Sequence, residues 1–272
     1  MRMKDILSVS GHRPFPQPAA PWAMTQRWND LLFAHWPVPA ASVGHLLPEG
    51  LQPDTCNGSA WIGVVPFWMD RIRLRGVPPI PGTRSFPELN LRTYVRDQHS
   101  GTEGVYFFSL DGGNLLAAAI ARTFYHLPYY WAEMRHEQQS EREFAVYSRR
   151  RFSGSEVIFK ARYRGLGPTS KLAEPARGSL EYFLTERYCL FAKNRAGELV
   201  QAQVQHSPWA LEDAQADIER NDLPAAIGLE MPACEQPVLH YARRQAVYLW
   251  PIRLSRPIRR RQPIPAQALP SI

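Results

Sequence analysis

The sequence has few cysteines and no long apolar segment. The 272 residues include three cysteines, Cys56, Cys189 and Cys234, which are odd in number and far apart. This spacing argues against a disulfide framework and against a zinc site of paired cysteines, and it favours buried thiols in a reducing compartment. No run of about eighteen apolar residues occurs, and the first residues lack the continuous apolar core of a signal peptide. We therefore expect a soluble cytoplasmic protein without a metal centre.

The familiar motifs of cofactor and hydrolase sites are also missing. No GxGxxG follows a predicted strand, and GxxxxGK[ST], HExxH and GxSxG do not occur. These motifs supply phosphate-binding loops, zinc ligands and exposed serine nucleophiles, so nucleotide-dependent enzymes, zinc proteases and α/β-hydrolases lose most of their support. We expect no organic cofactor.

The excess of basic residues is confined to the two ends of the chain. The formal net charge is +7. Five arginines and no acid lie in residues 251–272, and the remaining net charge of +2 lies in residues 1–21, so the body between them has no net charge. A neutral body is unsuited to following nucleic-acid phosphates. We interpret residues 1–21, which are Pro-rich from residue 11 onward, as a flexible leader and residues 253–272 as a disordered Arg/Pro-rich tail, with nucleic-acid binding by that tail as the weaker alternative.

Hydrophobic periodicity predicts a β-rich domain over residues 22–252. Strands are expected at 61–68, 88–96, 104–111, 155–163, 187–193, 198–206, 237–242 and 246–252. Helices are expected at 25–33, 114–125, 179–185 and 211–220. Pro66 inside the first of these strands indicates a sheet edge or a bulge. With no repeat and no break in composition, the pattern favours one mostly β domain of antiparallel strands with a few short helices.

Polar side chains in apolar surroundings are the candidate site residues. Glu88, Asn90 and Arg92 share one face of a predicted strand. If that face is interior, the arginine could bind a substrate carboxylate in a cavity, but a solvent-facing side would show the same alternation. Arg122, late in an Ala-rich helix, either meets a ligand or neutralises the helix dipole. His206, on the apolar face of its strand, is either a site residue or a structural one.

Eight segments carry a resemblance to a known family. In order along the chain they are DLLFAHWPV, AWIGVVPFWM, FPELNLRTYV, GVYFFSLD, ARTFYHLPYY, SLEYFLTERYCLFA, HSPWAL and LHYARRQAVYLWPI. Together they span about Trp22 to Arg253, and the sequence resembles the bacterial YqjF-like family of uncharacterised proteins. That family is grouped with the acetoacetate decarboxylase-like fold. The resemblance implies a closed, cone-like β-barrel around an internal pocket, with the face of Glu88, Asn90 and Arg92 turned inward.

The resemblance also shows where this sequence departs from acetoacetate decarboxylase. That enzyme uses a lysine whose amine attacks the ketone and forms a Schiff base. The similar stretch here runs from Arg122 to Pro128 and is followed by Tyr129, whose phenol cannot form an imine. The chain has only four lysines, which are Lys4, Lys160, Lys171 and Lys193. Schiff-base chemistry is therefore not expected at this position.

These observations predict a small-molecule-binding β-barrel with lyase or isomerase chemistry on an oxo-acid-like ligand. The residues expected to be catalytic are Glu88, Tyr129 and Arg122. The residues expected to bind substrate are Asn90, Arg92, His126 and His206. The alternative is a non-catalytic ligand-binding or sensor protein that kept the barrel. The expected partner is a small organic ligand rather than a membrane or a nucleic acid, and the oligomeric state is left open.

Overall fold

Strands dominate the part of the chain that the structure describes. This computed structural model describes residues 3–78, 81–116, 127–167, 175–194, 196–231 and 236–255. The strands are β1 Met24–Val38, β2 Leu51–Pro53, β3 Ala60–Leu74, β4 Phe86–Asp97, β5 Glu103–Gly112, β6 Tyr129–Gln138, β7 Glu143–Arg150, β8 Ile158–Gly165, β9 Cys189–Lys193, β10 Leu199–Gln205, β11 Glu212–Asn221, β12 Val238–Leu249 and β13 Arg253–Leu254. The α-helices are α1 Ala40–Gly44 and α2 Leu180–Thr185, and 3-10 turns occupy Met3–Ser8 and Ala225–Ile227.

The strands form one sheet that closes on itself. The hydrogen-bonded order is β13-β10-β9-β5-β6-β7-β8-β11-β12-β1-β3-β4-β2. Pairing of β4 with β5 closes a nine-strand ring. Pairing of β10 with β12 closes a second, smaller ring made of β12, β10, β9, β5, β4, β3 and β1. Most pairs are antiparallel, with parallel pairs joining β5 to β6 and to β9. The expected closed, mostly β barrel is therefore confirmed.

The interior strand β3 shows how a proline is accommodated inside a barrel. β3 pairs with β1 on one side and with β4 on the other, so it is not an edge strand. Pro66 lies opposite Leu89 of β4, and on the β1 side it faces a register shift between Asn29 and Ala34. Asp30 in this shift has a left-handed φ of 54°. The interrupted ladder tolerates a residue without an N–H, so the bulge, rather than the edge, explains Pro66.

Three predictions of secondary structure are wrong. Residues 25–33 lie in β1 and residues 211–220 lie largely in β11, although both were predicted as helices. The bulge in β1 interrupts the alternation of apolar and polar residues that identifies a strand. In β11 only one face of the strand is covered, and its members are only partly buried. Residues 237–242 and 246–252 belong mainly to the single strand β12, because an exposed Arg-Arg pair in its middle imitates a turn. In each case pairing with neighbouring strands overrides the local pattern.

The two largest clusters of buried apolar side chains lie in different parts of the barrel. One cluster joins β1, β3 and β4 to the β7–β8 side of the barrel and includes Leu32, Leu91 and Phe144. The other lies within the smaller ring and includes Val105 and Val204. The second cluster does not fill its ring, and several of its members form the wall of the cavity described below.

The segment before β1 is bound to the barrel. Buried Arg13 donates hydrogen bonds to Val204 O at 2.6 Å, to Gln205 Oε1 at 2.7 Å and to Gln203 Oε1 at 2.9 Å. Gln205 Nε2 in turn donates to Val9 O at 2.8 Å. The expectation of a flexible leader does not fit these contacts, since a buried guanidinium fixes the segment to β10.

The end of the described chain is also paired. Arg253 and Leu254 form β13 against β10, and Ser255 Oγ donates to Asp97 Oδ2 at 2.6 Å. These residues therefore belong to the barrel and not to the expected disordered tail, and residues 256–272 lie outside the described part. No helix within the described ranges is long and apolar enough to cross a membrane.

Candidate functional site

A cavity of about 450 Å³ lies inside the smaller ring. Its wall is mostly apolar. Its tryptophan and phenylalanine side chains come from β1, β4, β5 and the segment after β10, and they are Trp28, Phe86, Phe107 and Trp209. The exposed residues among those that line the cavity, such as Arg73, Pro78 and Pro251, lie at its mouth. A concave apolar site with a few polar groups is the usual form of a small-molecule site.

Glu88 is a buried carboxyl in this wall. It lies on β4 and is 4% exposed. Tyr129 Oη donates a short hydrogen bond to Glu88 Oε2. Burial raises the pKa of Glu88 from 4.5 to about 7, and hydrogen bonds from Tyr129 and Asn90 partly offset that rise. Burial, and then the adjacent carboxylate, raise the pKa of Tyr129 well above its usual value, so the phenol stays protonated. A carboxyl with a pKa near neutrality can both donate and accept a proton at pH 7.

The pairing of β4, β5 and β6 places Tyr129 beside Glu88. Tyr129 is the first residue of β6 and pairs in parallel with Leu110 of β5. Glu88 pairs with Gly112, two residues further along β5. The next residue, Gly113, has no space for a side chain, because a Cβ there would lie 2.8 Å from Pro87 Cγ. This close approach holds the start of β4 against the end of β5, next to Glu88.

Arg92 lies on the same face of β4 and also lines the cavity. Its guanidinium extends toward Tyr94, with Nη2 3.4 Å from both Tyr94 Oη and Leu184 O. Its Cζ is 5.4 Å from the centre of the Phe33 ring. Within the described residues, Arg92 has no carboxylate at ion-pairing distance, and its buried Nε has no hydrogen-bond partner. A half-buried cation with these partners can bind the carboxylate of a ligand.

Arg187 is a second cation in the wall, and it was not predicted. It is 7% exposed, and its Nη1 lies 2.7 Å from Asp54 Oδ2 and 3.7 Å from Glu103 Oε2. Asp54 and Arg187 are separated by 133 residues, so no local pattern reveals the pair. Its charge is neutralised by the protein, which distinguishes it from Arg92.

The other predicted site residues have different surroundings. His206 lines the cavity, and burial lowers its pKa, so the ring is neutral. The ring stacks on Tyr188 with centroids 4.5 Å apart, and its Nδ1 lies 2.8 Å from Ser207 O. Asn90 is buried but does not line the cavity; it hydrogen-bonds to Glu88, and its Oδ1 has no partner. Arg122 and His126, and with them most of the predicted helix 114–125, lie outside the described residues.

Neither a lysine nor a metal cluster is found at the site in the part of the chain that the structure describes. Lys160 lies on β8 with its Nζ 2.5 Å from Glu219 Oε2, and Lys193 is exposed at the end of β9. The side chain of Lys4 and the whole of Lys171 lie outside the described part. No group of three or more His, Cys, Asp and Glu side chains in the described ranges could hold a metal ion.

Sequence comparison confirms the predicted family resemblance. The profile of the DUF2071 family, described as uncharacterized conserved proteins, matches residues 25–246. The uncharacterized protein YqjF of Bacillus subtilis (strain 168) is 45% identical over 233 residues, which cover 85% of this chain and 92% of that protein.

Solved structures similar to this one have the acetoacetate decarboxylase-like fold. The enduracididine biosynthesis enzyme MppR complexed with pyruvate has a TM-score of 0.59 at 12% identity, with 88% of this chain and 92% of that chain covered. Acetoacetate decarboxylase from Legionella pneumophila has a TM-score of 0.55 at 12% identity, with 89% and 92% covered. An acetoacetate decarboxylase-like enzyme from Sphingomonas wittichii RW1 has a TM-score of 0.59 at 12% identity, with 91% and 100% covered. The likeness confirms the fold predicted from the resemblance.

Proposed function

The chain belongs to the DUF2071 family of uncharacterized conserved proteins, and from this premise we propose that it binds an organic oxo acid in its barrel and catalyses proton transfer on it without a lysine Schiff base. One observation carries the proposal. A carboxyl whose pKa is about 7 and an arginine without a carboxylate partner in the described residues line the same apolar cavity. The complex of MppR with pyruvate supports an oxo acid as the ligand class.

The roles follow from the chemistry of the two groups. Arg92 holds the ligand carboxylate by its N–H groups, and the surrounding apolar wall strengthens that attraction by excluding water. Glu88 in its ionised form removes a proton from a carbon next to the ligand carbonyl, and in its protonated form it returns one. Tyr129 donates its single O–H to the ionised Glu88 and holds that carboxyl in place. Once Glu88 has taken up the proton, the same O–H can turn to the developing enolate oxygen. If Glu88 returns the proton to a different carbon, the reaction is an isomerisation, and if a group on the carbon next to the enolate leaves with its bonding electron pair, the reaction is that of a lyase.

A non-catalytic ligand-binding or sensor protein is the second candidate. The observation that favours it is the cavity wall itself, which contains no lysine among its described residues. Such a protein would retain the arginine and the apolar wall for affinity, and Glu88 would serve only as a hydrogen-bonding group.

Solvent deuterium exchange separates the two candidates. We expect the protein in D2O to accelerate exchange of the protons next to the carbonyl in at least one member of a panel of oxo acids of increasing length, from pyruvate, acetoacetate and levulinate to para-acetylphenylacetate, as measured by proton NMR. Glu88→Gln should abolish the acceleration while retaining binding, and Lys160→Ala should leave it unchanged. Binding that depends on Arg92 without exchange would establish the second candidate. Failure of Arg92→Met to weaken the binding of any acid would contradict both candidates.

Reductive trapping tests the absence of a Schiff base. Incubation with pyruvate and sodium cyanoborohydride should leave the intact mass of the protein unchanged, because no lysine is found in the described wall of the cavity. A stoichiometric adduct would contradict the proposed mechanism, and its loss in Lys160→Ala would identify the amine.

A further inference from the structure

The two polar groups proposed to act on the ligand, Glu88 and Arg92, are far apart in the cavity. Glu88 and Arg92 are four residues apart on β4, which corresponds to about 13 Å along the strand. The Arg92 guanidinium extends toward Tyr94, two residues further along β4 and away from Glu88. A carboxylate held by Arg92 therefore does not lie against Glu88, and a ligand that reaches both groups must be long.

The size of the cavity leads to the same conclusion. An engineered apolar cavity of about 150 Å³ accommodates one benzene molecule. The present cavity, at about 450 Å³, is three times as large. A three- or four-carbon oxo acid would leave most of this space to water against apolar walls, which is unfavourable.

Two indoles of the cavity wall are suited to pack against a ring. Trp28 and Trp209 lie stacked with centroids 6.2 Å apart. The indole N–H of Trp28 donates to Gln26 Oε1, and that of Trp209 donates to Thr185 O, both at 2.8 Å. With their polar atoms already bonded inside the protein, the two indoles offer only apolar surface to a ligand.

We infer that the ligand is an amphipathic oxo acid in which an apolar body, the size of an aromatic ring or larger, separates the carboxylate from the reacting carbonyl. This inference rests on the proposed function. Arg92 then anchors the acid at one end, the indole-lined wall surrounds the body, and the carbonyl lies at Glu88 and Tyr129. The carboxylate that is held is not the group that reacts.

A length series tests the inference by isothermal titration calorimetry. The probes are acetoacetate, levulinate and para-acetylphenylacetate, with para-ethylphenylacetate as the analogue that lacks the carbonyl. We expect para-acetylphenylacetate to bind at least tenfold more tightly than levulinate and severalfold more tightly than para-ethylphenylacetate. Trp28→Ala should weaken binding of the ring-containing acids and leave that of levulinate unchanged.

Arg92 variants locate the carboxylate. Arg92→Met should weaken para-acetylphenylacetate about tenfold and change the affinity of its methyl ester less than twofold. Arg92→Lys, which keeps the charge, should retain part of the affinity for the acid. Arg164→Gln, on β8 and not among the residues that line the cavity, is the matched control and should have little effect.

Two results would overturn the inference. One of them would leave the proposed function intact, and the other would reject it as well. Tighter binding of acetoacetate or levulinate that still requires Arg92 would reject the size class and leave the proposed function intact. Equal affinity of wild type and Arg92→Met for every acid would reject both.

Discussion

Arg187 and Arg92 line one cavity and differ in what balances their charge. Arg187 lies 2.7 Å from Asp54 and 3.7 Å from Glu103. Both of these acids also contact Arg96. Both guanidiniums contact aromatic rings and a backbone carbonyl, but Arg92 has no carboxylate at ion-pairing distance among the described residues. A guanidinium with its own carboxylates stabilises the fold, whereas one facing a cavity without them is available to a ligand. The role of an arginine that lines the cavity is therefore better judged from the carboxylates near it than from its position in the cavity wall.

The largest expected effect is a difference in the free energy of unfolding between variants of these two arginines. Arg187→Met should lower the free energy of unfolding by about 3–4 kcal/mol, because Asp54 would stay buried with only the partly exposed Arg96, 3.2 Å away, as its partner. Arg92→Met should change it by less than about 1 kcal/mol, since no ion pair is lost. Urea unfolding of both variants, followed by tryptophan fluorescence, measures the difference. A loss of similar size in Arg92→Met would show that Arg92 is a structural residue and would remove the contrast.

The second prediction concerns the pH dependence of stability caused by Glu88. Its pKa rises from 4.5 in the unfolded chain to about 7 in the fold, so the folded state binds the proton more tightly. Stability from this group is therefore fully present below pH 4.5 and falls as the pH rises to 7, by about 3 kcal/mol. In Glu88→Gln this fall should be absent. A Glu88→Gln variant that loses stability with the same slope as wild type would contradict the assignment.

A smaller effect is expected from the phenol beside Glu88. Tyr129→Phe removes a hydrogen bond that lowers the pKa of Glu88, so that pKa should rise above 7. The free energy of unfolding at pH 8 should fall by about 2 kcal/mol, as for a hydrogen bond to a charged group. Carbon-detected NMR titration of the Glu88 carboxyl measures the pKa directly. A lower pKa in the variant would mean that the phenol does not stabilise the carboxylate.

The smallest effect is expected at Lys160, outside the cavity. Its pair with Glu219 joins two largely solvent-accessible side chains, so screening by water leaves little net stabilisation. Lys160→Ala should unfold at the same temperature as wild type within error, by differential scanning calorimetry, and should bind the acids with unchanged affinity. A lower unfolding temperature would show that this surface pair stabilises the fold, and a change in affinity would place the lysine in contact with the site.

Periodicity and resemblance predicted different parts of this structure. Alternation placed Glu88 and Arg92 on one face of a strand, but the same pattern fitted a solvent-facing side, and only the resemblance implied a barrel around them. Closure depends on the pairing of β4 with β5 and of β10 with β12, which no local pattern contains. The bulge at Asp30 made β1 resemble a helix. Local sequence therefore gave the strand faces, and long-range pairing decided what those faces enclose.

Long-range pairing also explains the differences between the predicted site residues and the residues that line the cavity. Arg187 is recognisable only through Asp54, which is distant in the sequence. Asn90 was expected to contact a ligand but hydrogen-bonds to Glu88, because the face that looks uniform in sequence is only partly open to the cavity. The volume of the cavity depends on side chains from most of the strands in the smaller ring and cannot be read from any one of them.

The contact between Arg13 and β10 has a consequence for how the protein is made. Arg13 and Val204 are 191 residues apart, so during synthesis the arginine leaves the ribosome long before its acceptors exist. Contacts of such high sequence separation form slowly, because a long loop must close before they contribute any free energy. The attachment of this segment is therefore a late event in folding. It joins a part of the chain made early to a strand made late, and a protease acting on the nascent chain would reach the segment before the barrel protects it.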